Sequence, residues 1–145
     1  MKEARIVLLV DDNPADVDLA REALQENVHG VQVESVGDGE EALAFLKRRG
    51  IYAEKPRPDL VILDLNLPKK DGRAVLAEVK SDTDLRTIPV VVFSTSRSMA
   101  DIARSYELGA NCYVSKPGNL DDYFSAVQSM EEFWFGSASL PRKEK

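Results

Sequence analysis

Short apolar runs alternate with amphipathic segments along the whole chain. RIVLLVD (5–11), VQVESV (31–36), DLVILD (59–64), PVVVFS (89–94) and NCYVS (111–115) are predicted strands. Three of them are almost wholly apolar, as strands covered on both faces must be. The stretches between them carry helix punctuation. Asn13-Pro14 supplies a cap and a first-turn proline ahead of Val17, Ala20 and Leu24. Asp38 with Glu41, and Ser98 with Asp101, have capping-box spacing or its near equivalent. Asp71 is placed to cap a helix carrying Val75, Leu76 and Val79, and Gly109 to stop one. A last helix starts near Asn119 and carries Leu120, Tyr123, Phe124, Val127, Met130 and Trp134.

Five strands alternating with five helices predict an α/β sandwich around a parallel sheet. Right-handed crossovers leave few strand orders, and a doubly wound (βα)5 sheet in the order 2-1-3-4-5 is the simplest. In that order strands 1 and 3 are neighbours, and their carboxyl ends flank the crevice where such folds take ligands. Strand 1 ends in Asp11-Asp12 and strand 3 in Asp64, so three acids far apart in sequence converge there. Strand 4 brings Ser94-Thr95 beside them, and strand 5 brings Ser115-Lys116-Pro117.

Composition narrows the partners more than the fold. With 145 residues and 43% apolar content, one domain with a substantial core is expected. The net charge of −6 argues against broad binding to nucleic acid, and the basic cluster of Arg142, Lys143 and Lys145 is short and interrupted by Glu144. Cys112 stands alone, so no internal disulfide is possible, which suits a reducing cytoplasm. RIVLLV is too short for a secretory leader, and no apolar run approaches the roughly 20 residues of a membrane span. The expected setting is soluble and cytoplasmic, with no membrane partner.

Crowded carboxylates repel, and a hard divalent cation with oxygen ligands relieves them. Mg²⁺ suits such a set, because it takes one or two carboxylates, keeps waters and leaves room for a phosphate oxygen. Asp11 and Asp12 read as its clamp, and the backbone carbonyl of Asn66 offers a further ligand. Lys116 adds a fixed positive charge, and Ser94 a hydroxyl that can reach a phosphate oxygen. Phosphoryl transfer needs mainly positioning and electrostatic stabilisation, which these groups supply. Asp64, alone on the central strand, is the expected nucleophile, yielding an aspartyl phosphate.

Together, VDDN (10–13), LDLNLPKKDG (63–72), VVFSTS (91–96) and YVSKP (113–117) resemble the receiver domain of two-component response regulators, over roughly residues 5–134. That resemblance implies Asp64 as phosphoacceptor, Asp11 and Asp12 as Mg²⁺-site acids, Asn66 as carbonyl ligand and Lys116 as the phosphate-pairing lysine. It also implies a cis bond to Pro117, Ser94 (with Thr95 beside it) as the switch hydroxyl and Tyr113 as the aromatic switch. The phosphoryl group then comes from a separate histidine kinase, docked through helix 1 and the nearby strand-5 loop. GIYAEKPRPD (50–59), RSYELGANCYVSKP (104–117) and FWFGSASLP (133–141) are similar to single-domain regulators that partner phytochrome-type kinases. Gly118 departs from the bulky apolar residue that many receivers carry after Lys-Pro.

Plainer readings stand beside these. Asp11 and Asp12 can cap helix 1, Asp64 and Asn66 can be turn residues, Ser94-Thr95-Ser96 ordinary loop, and Tyr113 a packed strand aromatic. Asp71 reads simply as a cap, and His29 as a solvated loop residue remote from the crevice. A haloacid-dehalogenase-type phosphatase needs an acid where Asn66 stands. An FMN site needs a neutral first loop where VDDNPAD stands. A degenerate receiver acting as a scaffold gives no use to the intact acids and Lys116. The expected division is a receiver over 1–134 and a tail over 135–145, too short for an effector domain. Output is therefore expected through a protein partner whose identity is unknown, without enzymatic turnover of a diffusible substrate. Phe133, Trp134 and Phe135, three consecutive aromatics that no single helix face can hide, suggest a homodimer interface.

Overall fold

A computed structural model describes residues 5–26 and 30–141. His29 and the basic cluster of Arg142, Lys143 and Lys145 lie outside the described residues. The elements follow the predicted alternation: β1 (Arg5–Val10), α1 (Pro14–Gln25), β2 (Val31–Val36), α2 (Gly39–Leu46), β3 (Leu60–Leu63), α3 (Gly72–Ser81), β4 (Val90–Ser94), α4 (Met99–Glu107), β5 (Cys112–Ser115) and α5 (Leu120–Glu131). All pairings are parallel, in the order β2-β1-β3-β4-β5.

Alternation within the strands builds two cores. Leu8, Val10, Val61, Leu63 and Val92 face one side and pack with Leu43, Phe45, Val75, Leu76 and Val79 of α2 and α3. Val7, Leu9, Leu60, Ile62, Val91 and Phe93 face the other, against Ala20, Ala23 and Leu24 of α1 and Tyr123, Val127 and Met130 of α5. The central strands β1, β3 and β4 are therefore buried on both faces, which is why they read as unbroken apolar runs.

Each helix begins where its cap predicts. Asn13 Oδ1 accepts from the N–H groups of Ala15 and Asp16, Asp38 from Glu41, Asp71 from Arg73, Ser98 from Asp101 and Asn119 from Asp122. Gly109, at φ +105°, ends α4 in a backbone region that other residues rarely adopt. Past α5 the chain continues in a wider π-helical turn, Glu132–Ser137. The three consecutive aromatics lie in that turn. Trp134 and Phe135 pack partly against the α1/α5 core, and only Phe133 stays open, at 54% exposure. Two of the three consecutive aromatics therefore lie against their own domain. Among the described residues, no helix is long and apolar enough to cross a membrane.

Candidate functional site

The site forms where β1 and β3 end side by side. Asp11 N–H donates to Val36 O (3.1 Å) and Asp64 N–H to Val10 O (2.9 Å), so the sheet's own hydrogen bonding brings the two acids to one edge. Asp11, Asp12 and Asp64 each offer a carboxylate oxygen, and these oxygens lie within 4.8 Å of one another. Asp11 and Asp64 are largely enclosed, whereas Asp12 is open to solvent. Such an all-oxygen, partly hydrated donor set fits a hard divalent cation.

The capping alternative for Asp11 and Asp12 fails on geometry. Asn13 occupies the N-cap and holds two of the orphan N–H groups. Asp11 Oδ1 instead accepts from Asn13 N–H (2.9 Å), which braces the turn and leaves its other oxygen for the pocket. Asp71, by contrast, is the cap that its position suggested. Behind Asp64 the chain doubles back tightly: Gly72 N–H donates to Leu65 O (2.8 Å), and a Cβ at Gly72 would fall 2.2 Å from Asp64 O. Any side chain there would push Asp64 out of place.

Lys116 enters from the opposite side. Its N–H donates to Ser94 O (2.7 Å), which holds the end of β5 against the end of β4. Its ammonium reaches Asp11 Oδ2 at 2.8 Å, Asp64 Oδ2 at 2.9 Å and Asp16 Oδ2 at 3.0 Å, with the side chain 5% exposed. Burial disfavours the charge, but the bonds to Asp11 and Asp64 outweigh it, and the Lys116 pKa is raised above its ordinary value. Burial pushes the Asp11 carboxyl up, against the opposing pull of Lys116 and Asn13.

The expected cis bond at Pro117 is corrected here: no described peptide bond is cis, so Lys116–Pro117 is trans. Trans is the favoured isomer even before proline, by about 0.5–1 kcal/mol. The lysine meets all its acceptors with that isomer in place, so the contacts seen here do not require the rarer one.

Ser94 is fully buried, and its Oγ accepts a long bond from Ser96 N–H (3.4 Å); Thr95 is exposed. Tyr113 is half-buried, with its hydroxyl donating to Ser96 O (2.8 Å) and its N–H to the Tyr106 hydroxyl (3.1 Å). The ring is thus turned towards the β4–α4 loop, not simply packed along the strand. Asn66 lies in the turn after Asp64, exposed, with its N–H towards Asp64 Oδ1 at 3.4 Å.

Sequence reasoning missed Asp16 and a chain of contacts leading away from the pocket. Arg73 donates to Asp101 Oδ1 (2.8 Å), Asp101 Oδ2 accepts from the Ser96 hydroxyl (2.6 Å), and Ser96 meets Ser94 and Tyr113. Ser96 first, then Arg73, holds the Asp101 carboxyl below its ordinary range. For Asp16 the signal was present in DDNPAD: a third-position acid on a helix whose start abuts the crevice.

Residues 7–128 match the response regulator receiver domain. The chain is 48% identical over 137 residues to the response regulator Rcp1 of Synechocystis, covering 94% of this chain and 93% of that protein. It also resembles the phosphorylated cyanobacterial phytochrome response regulator RcpA (TM-score 0.94, 51% identity, 97% of this chain and 100% of that one). The Mn²⁺-bound form of Rcp1 superimposes with a TM-score of 0.92, at 48% identity, covering 95% of this chain and 99% of that one. A five-stranded 2-1-3-4-5 sheet with acids and a lysine at its carboxyl edge therefore has its relatives: the chain belongs to the response regulator receiver family and is related to the phytochrome response regulators.

Proposed function

We infer that Asp64 accepts a phosphoryl group from a phosphohistidine of a partner kinase, and that the phosphorylated chain signals through a changed protein-interaction surface. One observation carries this reading. Lys116 crosses from the β5 end to bridge Asp11 and Asp64 at 2.8 and 2.9 Å, putting a cation beside the carboxylate that must receive an anion. An oxygen of Asp64 attacks phosphorus, the donor's P–N bond breaks, and its electron pair stays on the imidazole nitrogen. The product is a mixed anhydride whose added negative charge Lys116 offsets. Asp11, Asp12 and Asp64, with the carbonyl of Asn66, would hold Mg²⁺, which when bound neutralises charge on the transferring group. The Mn²⁺-bound form of Rcp1 and the phosphorylated form of RcpA support both parts by likeness. The same likeness favours a phytochrome-type histidine kinase as donor.

Ser94 and Tyr113 then form the switch. The Ser94 hydroxyl turns towards the new anion, Ser96 shifts with it, and Tyr113 loses or changes its bond to Ser96 O. The surface that registers this lies on α4, β5, α5 and the turn after α5, where Met99, Tyr106, Leu120 and Phe133 are exposed. It would receive the downstream protein or a second copy of the chain. The domain does no more than slowly release its own phosphate.

With Mg²⁺ and acetyl phosphate, intact-mass measurement should show one phosphoryl group added, labile to hydroxylamine and absent from Asp64→Asn. Equal labelling of that variant would refute the assignment. Sedimentation with and without beryllofluoride tests the homodimer: Phe133→Ser should weaken any association seen.

A further inference from the structure

Asp16 has no task in the scheme above, yet its carboxylate lies 3.0 Å from the ammonium at the centre of the pocket. An acid in the first turn of a helix ordinarily needs no explanation, because it favours the helix dipole or reaches back to the N-cap N–H. Here the second role is taken. The Asn13 N–H is held by Asp11 Oδ1 at 2.9 Å, and Asp16 Oδ2 meets Lys116. Its backbone carbonyl accepts from the Tyr123 hydroxyl (3.2 Å), tying this turn of α1 to α5.

An ammonium has three N–H donors. Lys116 directs one each at Asp11, Asp64 and Asp16. To pair with an incoming phosphoryl group it must give up at least one. Phosphorylation removes the charge of Asp64, and a bound cation occupies Asp11. Asp16 has neither fate, and remains a competing anion for the same lysine.

We propose that Asp16 is a positioning residue that tethers Lys116 in the resting chain and sets, by competition, how strongly the pocket holds a phosphoryl group. The proposal rests on the phosphoacceptor reading above. Removing the charge frees the lysine and subtracts one repulsion from the anion.

Beryllofluoride affinity, measured by calorimetry on the full chain with saturating Mg²⁺, tests it. Asp16→Asn should bind about fivefold more tightly than the wild type, the scale of one partly exposed ion pair. Asp16→Glu, which restores the charge, should return to wild-type affinity. With ¹⁵N-lysine labelling, the Lys116 ammonium signal of the resting protein should lose its exchange protection in Asp16→Asn, whereas a purely helix-stabilising acid would leave it unmoved. Asp16→Ala serves as the second variant should thermal unfolding show Asp16→Asn to be misfolded. Unchanged or weaker binding in a folded charge-removing variant overturns the tether. No binding by the wild type, or equal binding by Asp64→Asn, overturns instead the phosphoacceptor reading on which it stands.

Discussion

Lys80 and Lys116 each direct an ammonium at three acceptors, at opposite ends of the sheet, and with opposite consequences. Lys80 Nζ donates to Arg86 O (3.1 Å), Ile88 O (2.9 Å) and Asn111 Oδ1 (3.0 Å), stitching α3 to the loops that lead into β4 and β5. All three acceptors are neutral, and burial pulls the Lys80 pKa down. Lys116 is surrounded by three carboxylates, with Asp12 a fourth acid nearby. The first cation is satisfied by dipoles and has nothing left to exchange. The second is outnumbered by acids, a balance that a bound cation would relieve. One lysine is tied to the scaffold and the other to the acid cluster, the first half-buried and the second enclosed.

The contrast can be broken by substitution. Lys116→Met should cost the most, about 2–3 kcal/mol, because it leaves enclosed carboxylates without their counter-charge. Urea unfolding should show part of that loss recovered with millimolar Mg²⁺. Lys80→Met should cost about 1 kcal/mol, the net scale of intramolecular hydrogen bonds whose acceptors water can partly reach. Mg²⁺ should recover none of it. Were both variants equally responsive to Mg²⁺, the distinction drawn between the two ends would be wrong. Asp64→Asn should instead stabilise the metal-free chain, by about 1 kcal/mol, since it thins the crowd of acids. Thermal unfolding in EDTA checks the sign.

The smallest effect concerns pH. Asp101, bonded to Ser96 and Arg73, has a folded-state pKa below its ordinary 3.8. Its contribution is therefore present above that value and lost as pH falls through the lower, folded-state one. Stability measured by urea midpoint down to acid pH should fall less steeply in Asp101→Asn than in the wild type. A parallel decline would detach the Arg73–Asp101–Ser96 chain from stability.

Local order along the chain determined much of this protein. Period-two and unbroken apolar runs marked all five strands to within a residue or two, because a strand's burial depends on its own alternation and on the faces covered. Asn13, Asp38, Asp71, Ser98 and Asn119 announced the helix starts, because a cap bonds residues two or three positions away. Strand ends then placed Asp11, Asp12, Asp64, Ser94 and Lys116 around one crevice, since a parallel sheet leaves the carboxyl ends together.

Tertiary structure alone decided the rest. That Asp16 joins Lys116 depends on how α1 tilts against the β5 loop, a relation spanning a hundred residues. That Trp134 and Phe135 pack on their own domain while Phe133 stays open depends on contacts with the α1/α5 core that only the folded chain makes. The trans bond before Pro117 and the contacts around Ser96 depend on how neighbouring loops settle together. Backbone periodicity and capping are short-range physics, readable in one dimension. Charge balance and loop packing are sums over neighbours in space, which only the folded chain assembles.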